Sequence, residues 1–217
     1  MGAFAANLVL LILETGNFIS AIRDGGLSIL QFYTEDSNLL TLLVSLLYVI
    51  IYLREKKKTS TDQRKQAEDT ATGPVRMPAW MHLLRFMSTC CLTLTFLIVV
   101  TVLAPMFGKG GLVTLLFTGH HFLFHFVCPI LSFFSFMMLE RGEALPRRAI
   151  AAAVAPTAVY AVTTVILNAC CVISGPYPFL MVYEQPFYMS VMWFAVILGA
   201  DAAISWGVRK IKGKMRR

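Results

Sequence analysis

Long apolar runs dominate the chain and alternate with short polar or basic connections. A helix needs roughly 20 residues to cross about 30 Å of bilayer hydrocarbon, so the length of each run is informative. The pattern predicts an all-α integral membrane protein, a bundle of six transmembrane helices. The six runs lie near residues 3–21, 28–53, 81–104, 111–139, 149–174 and 187–208.

The connections between these runs differ in length and composition. Three are short and rich in Gly or Pro, at residues 23–28, 107–111 and 175–186. The segment 54–79 is longer and rich in Lys, Glu, Thr, Gln and Asp, a composition that cannot bury enough apolar surface to fold alone. We expect a single transmembrane domain, residues 1–217, with a flexible basic cytoplasmic loop at about 54–79.

The basic residues indicate how the bundle is oriented. Segment 54–80 contains seven Lys and Arg, segment 140–148 three and the tail after Gly207 six, whereas the opposite connections contain only Arg23 and Lys109. Because cytoplasmic loops are enriched in Lys and Arg, both termini are predicted to be cytoplasmic. A cleaved signal peptide at residues 1–21 is the weaker alternative, since this stretch has no basic start. A bacterial plasma membrane is the default location.

The overall composition supports a membrane protein and argues against a nucleic-acid partner. Apolar residues make up 57% of the chain and charged residues 14%, values unusual for a soluble domain. The net charge of +7 resides in short blocks between apolar runs, where it is explained by membrane topology. No phosphate-binding loop or cofactor motif is present, so no cofactor is expected.

Polar residues recur at three- and four-residue intervals along the fourth run, which places them on one face of a helix. Polar groups are costly in hydrocarbon, so this face should turn toward the bundle interior. Pro129 has no N–H, which leaves the carbonyl of His125 without its helical partner, and the helix is expected to open there. The face is a candidate functional site or, equally, a packing stripe. Its members are Thr114, Thr118, His121, His125, Cys128, Ser132 and Ser135.

The second run carries a similar polar face, which begins at Thr34 and continues through Asn38, Thr41 and Ser45. Membrane-helix threonines usually bond their own backbone, so spacing alone is weak support for a nucleophile at Thr34. The adjacent Glu35 and Asp36 are most simply explained as carboxylates at the outer interface, where water reaches them.

Glu14 lies well inside the first run, where an ionised carboxylate without partners would be costly. Asn17 and a histidine of the fourth run are candidate partners, the latter as an acid–base pair. A protonated Glu14 bonded to a backbone carbonyl is equally compatible with the sequence.

The residue types present are compatible with only a few classes of enzyme reaction. His121 and His125 have the i, i+4 spacing of a metal-binding pair, but no third ligand lies at a recognisable spacing, so no metal is expected. A hydroxyl on one helix and a histidine on another are the minimum for nucleophilic acyl transfer.

Three short segments stand in order along the chain: FYTEDSN at 32–38, the His-x-x-x-Pro from His125 to Pro129, and YPFL at 177–180. Together they resemble the androgen-induced protein family, which includes the androgen-dependent TFPI-regulating protein and related bacterial membrane proteins. The resemblance implies an intramembrane threonine hydrolase acting on fatty acid esters of hydroxy fatty acids, with Thr34 as nucleophile and His125 as general base. The spacing of the histidines before His125 is not part of the resemblance.

Several further residues are candidates for supporting this chemistry or binding substrate. Asn38 lies one turn from Thr34, where it could donate a hydrogen bond to a developing oxyanion. Cys128 and Ser132, on the same face as His125, are the next nucleophiles if Thr34 is not used. Glu14, His121 and Tyr177 complete the set.

One geometric condition must hold for a Thr34–His125 pair. At 1.5 Å rise per residue, Thr34 lies about 9 Å along a helix from Ser28, whereas His125 lies about 21 Å along a helix from Gly111. The two must be level, which requires the fourth helix to project beyond the membrane or to tilt.

Three alternatives to a lipid hydrolase remain open. Glu14, His121 and His125 could relay protons in a transporter or channel. The paired histidines could hold a metal with Glu14 or Asp36. An acyltransferase would use the same nucleophile with an alcohol as acceptor. A membrane lipid or fatty acid ester is the expected partner of the hydrolase.

Overall fold

The structure, a computed structural model, describes residues 1–65, 75 and 77–215, and these residues form helices and no strands. The prediction of an all-α membrane bundle is confirmed. Five helices are long and apolar enough to cross a membrane, and a shorter apolar helix accompanies them. The helices are α1 (Gly2–Gly25), α2 (Tyr33–Lys65), α3 (Ala79–Met106), α4 (Gly111–Phe117), α5 (Leu123–Leu139), α6 (Ala149–Ala169) and α7 (Phe187–Met215).

The fourth apolar run is not one continuous helix, so that part of the prediction is wrong. It divides into α4 and α5, because Thr118 adopts an extended conformation and Gly119 has a φ of +53°. Thr114 and Thr118 are exposed, whereas Cys128, Ser132 and Ser135 of α5 are buried. The polar face therefore turns inward only from α5 onward.

Helix α5 opens where the sequence predicts. Residues Leu123–Val127 form a π-helical turn, and Cys128 donates its backbone N–H to the carbonyl of Leu123, five residues earlier. Pro129 follows directly and cannot supply the next bond, which accounts for the wider turn. His125 lies within it.

Helix α2 extends farther than its apolar run. It continues to Lys65, so the first part of segment 54–79 is helical. Residues 66–74 and 76, where the flexible loop is predicted, lie outside the described residues.

The core has a basic end, which carries the Lys- and Arg-rich connections, and an opposite end that we call the outer end. At the basic end, α3 and α5 pack against α6 through an apolar cluster that includes Phe86, Phe136 and Ala153. Many large apolar side chains on the outside of the bundle are exposed, as expected for a surface that contacts lipid.

A buried ion pair ties the helices together at the basic end. The guanidinium of Arg85 contacts the carboxylate of Glu140 at 2.9 Å, and both side chains are almost fully buried. Asn7 and Ser135 also donate to this carboxylate. Lys212 donates to the carbonyls that end α5, including that of Glu140 at 2.6 Å. These contacts join α1, α3, α5 and α7.

At the outer end, the connection between α6 and α7 folds back into the bundle. Tyr177, Phe179 and Leu180 are buried there and pack against the end of α3 and against Leu115 of α4. Pro178–Leu180 forms a short 3-10 turn, and Gly175, with a φ of +83°, permits the preceding bend.

Candidate functional site

Thr34 lies at the second position of α2, at the outer end of the bundle, and is buried. Its hydroxyl donates a hydrogen bond to the carboxylate of Glu35. The hydroxyl of Tyr177 lies 3.5 Å from the same oxygen and accepts the backbone N–H of Thr34 at 3.3 Å. Thr34 does not bond a carbonyl of its own helix through this oxygen, in contrast to Thr15, Thr93 and Thr101.

The sequence predicts that Glu35 is a solvated carboxylate at the outer interface, but the residue is buried, with only 6% of its surface exposed. At the start of α2 the backbone N–H groups have no helical partners, so this position favours a carboxylate. The position of Glu35 directly after the candidate nucleophile could have suggested that the two residues act together. The sequence did not show that the carboxylate turns inward.

Tyr177 is placed beside Thr34 by aromatic packing. Its ring stacks on that of Phe179 at 5.1 Å and meets Phe32 edge-on at 5.9 Å. Burial raises the pKa of the Tyr177 phenol above its usual range. The phenol is therefore protonated at neutral pH and available as a hydrogen-bond donor.

A small apolar cavity of about 40 Å³ lies next to Thr34. Its wall comes from α2, α3, α6, α7 and the folded connection, so four helices and a loop meet at this point. A volume of this size holds a water molecule or a small group but not an acyl chain. The lining includes Leu94, Ile98, Val99, Thr157, Tyr160, Tyr177, Leu180 and Ile197.

His125 has a defined orientation on α5. Its Nδ1 lies 2.6 Å from the carbonyl of Leu115. A carbonyl can only accept, so Nδ1 carries the proton and Nε2 presents its lone pair. Nε2 is buried and has no hydrogen-bond partner among the described residues, and His125 does not line the Thr34 cavity. The histidine has the tautomer of a base, but no hydrogen bond joins it to Thr34 in the structure.

Asn38 links the two helices that carry Thr34 and His125. Its Nδ2 donates to the carbonyl of Thr34 at 2.6 Å and to that of Phe124 at 3.3 Å. Phe124 is therefore level with the first turns of α2, because the break before α5 removes the offset that a continuous fourth helix would have. Both amide hydrogens of Asn38 are occupied, which favours a helix-bridging role over oxyanion binding.

Glu14 is fully buried on α1, and the thiol of Cys128 lies beside its carboxyl group. Neither carboxyl oxygen has a well-formed hydrogen bond to the described residues. Asn17 instead donates to the carbonyl of His120 at 3.0 Å. His121 stacks on His125, with ring centroids 5.0 Å apart.

The sequence-predicted residues thus divide into three places. Thr34 and Tyr177 meet at the cavity. Ser132 belongs to the basic end, where it contacts Thr89 at 3.1 Å and Arg85. The remaining candidates lie along the α1–α5 contact and at its junction with α2: Glu14, Asn38, His121, His125 and Cys128.

Sequence reasoning did not identify a hydrogen-bonded chain at the cavity wall. Tyr33 contacts the hydroxyl of Thr157 at 2.8 Å, and Thr157 donates to the buried carboxylate of Asp201 at 2.5 Å. These residues come from α2, α6 and α7, and no local pattern connects them.

Within the described ranges, no group of three or more His, Cys, Asp or Glu side chains is arranged to hold a metal ion. No protein-family model matches the chain, and comparisons with curated proteins and with solved structures give no match either. The functional proposal therefore rests on the site geometry and on the resemblance of the three short segments.

Proposed function

We propose that the protein is an intramembrane hydrolase that cleaves the ester bond of lipids such as fatty acid esters of hydroxy fatty acids, with Thr34 as nucleophile. The observation that carries the proposal is the environment of the Thr34 hydroxyl. It is buried beside an apolar cavity, donates to a carboxylate and lies next to a phenol. A nucleophile, a proton acceptor and a donor for an oxyanion are the parts that acyl transfer needs.

The reaction would proceed in two half-steps. In the first, a base takes the proton of Thr34 as its Oγ1 attacks the ester carbonyl carbon; the alcohol leaves with that proton, and an acyl-threonine forms. In the second, water is deprotonated and attacks the acyl carbon, which releases the fatty acid and returns the proton to Thr34. In this proposal the phenol of Tyr177, whose oxygen lies 3.5 Å from that of Thr34, donates to the oxyanion in both half-steps.

Two groups qualify as the proton acceptor. The resemblance implies His125, whose free Nε2 suits a base. Glu35 is the group already in contact with the hydroxyl, so proton transfer to it needs no rearrangement. We therefore propose Glu35 as the immediate proton acceptor. His125 would take this role if α2 and α5 move closer together during turnover.

The test is lipid-ester hydrolysis by the purified protein in nanodiscs, together with labelling by a fluorophosphonate probe mapped by mass spectrometry. Thr34→Ala should abolish both signals, and Thr34→Ser should retain part of the activity because it keeps a hydroxyl. Thr93→Ala is the matched control, since Thr93 bonds the carbonyl of Thr89 in its own helix. A folded Thr34→Ala protein that still hydrolyses lipid esters would contradict the proposal.

A proton-coupled transporter is the second candidate. It is favoured by the fully buried Glu14 without a well-formed hydrogen bond, on a helix that contacts the histidine-bearing α5. Proton flux in liposomes that is lost in Glu14→Gln but retained in Thr34→Ala would favour it over the hydrolase. Product analysis with an added alcohol separates hydrolysis from acyl transfer.

A further inference from the structure

A second, larger depression lies next to the Thr34 cavity. It is a groove of about 590 Å³ between α2 and α6. Both helices are long and apolar enough to span a membrane, so the groove opens sideways toward lipid. Val159, which lines it, is 66% exposed. In a bilayer the mouth of such a groove faces the hydrocarbon chains of the surrounding lipids.

The lining of the groove combines apolar and polar side chains. Leu40, Val159 and Leu167 provide an apolar surface, whereas Gln31 and Asp36 place polar groups near the start of α2. A ligand that matches this lining has a long apolar chain and a polar group. A membrane lipid ester has that chemistry.

Two tyrosines form the wall between the groove and the cavity. Tyr33 and Tyr160 line both spaces, and their rings meet edge-on with centroids 5.2 Å apart. Tyr160 donates to the carbonyl of Gln31 at 2.7 Å, and Tyr33 contacts Thr157 at 2.8 Å. The wall is thus held by one hydrogen bond at each ring.

Only one of the two spaces separated by this wall is large enough for an acyl chain. The cavity beside Thr34, at about 40 Å³, has no room for an acyl chain, whereas the groove has more than enough. Tyr33 directly precedes Thr34 in the chain. Displacing its ring would therefore join the groove to the space in front of the Thr34 hydroxyl.

We propose that the groove between α2 and α6 binds the acyl chain of a membrane lipid ester, and that the Tyr33–Tyr160 pair is the partition through which the ester reaches Thr34. The groove as a lipid site stands on its own geometry, and the route to Thr34 rests on the proposed hydrolase function. The lipid arrives sideways from the leaflet at the outer end, with its chain in the groove and its ester at the start of α2.

The experiment uses the full chain in nanodiscs that contain a trace of a fatty acid ester with a diazirine in its acyl chain. After irradiation, cross-linked peptides are mapped by mass spectrometry, and hydrolysis of the same ester is measured in parallel. Val159→Trp fills the groove and should lower cross-linking to α6 and hydrolysis by about tenfold or more. Val162→Trp is the matched control, because Val162 is an exposed valine of the same helix that does not line the groove.

The partition is tested with Tyr160→Phe, which keeps the ring and removes its bond to the Gln31 carbonyl. Cross-links to cavity residues such as Leu94 and Leu180 should increase several-fold, since the wall opens more readily. Unchanged cross-links to these residues would overturn the partition.

The readouts separate this inference from the proposed function. Suppose that cross-linking is lost in Val159→Trp but not in Val162→Trp, and that the unmodified protein shows no hydrolysis. This result would support the groove as a lipid-binding site and reject the proposed hydrolase function. Equal cross-linking in Val159→Trp and Val162→Trp would overturn the groove, whatever the activity.

Discussion

The hydroxyl of Thr34 donates a hydrogen bond to the carboxylate of Glu35, its neighbour in the chain at the start of α2. Glu35 is a buried acid, so the contact is shielded from bulk water. His125, the base implied by the resemblance, uses Nδ1 on the Leu115 carbonyl and leaves Nε2 without a hydrogen bond to the residues described. Glu35 and His125 are therefore two candidate bases, and their replacement should have different effects.

Replacing Glu35 should be more damaging than replacing His125. Glu35→Gln keeps the shape of the side chain but removes its basicity, so kcat for lipid-ester hydrolysis should fall roughly 10²–10⁴-fold. His125→Ala should cost less, because His125 has no hydrogen bond to Thr34. Initial rates with a labelled ester check both. Asp24→Asn, an exposed carboxylate elsewhere at the outer end, is the control. A larger loss in His125→Ala would assign the base to His125.

Tyr177 should stabilise the oxyanion. Tyr177→Phe removes the donor next to Thr34 and keeps the aromatic packing, so kcat should fall roughly 10²-fold with little change in KM. Tyr183→Phe is the matched control, because Tyr183 lies in the same connection but is exposed and bonded to the Ala169 carbonyl. A change in KM alone would instead indicate that Tyr177 only shapes the cavity.

The Arg85–Glu140 pair should be important for folding. Arg85→Met leaves a buried carboxylate without its cation, which costs about 3–5 kcal/mol of stability when such a pair is broken on one side. Arg85→Met with Glu140→Gln should recover part of the loss, because the unpaired charge is removed. Unfolding of the detergent-solubilised protein, followed by circular dichroism, measures both. Losses that simply add in the double variant would show that the pair is not coupled.

The orientation of the bundle is testable with single cysteines in a background that lacks the native five. Ser174, exposed in the connection between α6 and α7, should react with an impermeant thiol reagent added to intact cells. A cysteine at Ser60, in the basic segment after the second apolar run, should react only after the membrane is opened. The reverse pattern would place the termini outside.

Features that depend on neighbouring residues along the chain could be predicted from the sequence. Apolar length and the clustering of Lys and Arg predict membrane helices and their orientation, because partitioning into hydrocarbon depends mainly on local composition. Pro129 likewise predicts the opening of α5 at His125, since the missing N–H is a covalent property of that residue. The inward face from His125 to Ser135 follows from helical periodicity.

Which of these residues meet depends on the tertiary structure and could not be predicted from the sequence. Tyr177 contacts Thr34 although 143 positions separate them, because the connection after α6 folds back into the bundle. The break at Thr118 and Gly119 separates α4 from α5, and Asn38 donates to the carbonyl of Phe124 from the neighbouring α2. Glu35 is buried and Ser132 joins the Arg85 network for the same reason. Helical periodicity assigns a residue to a face, but the packing of the other helices determines what that face contacts.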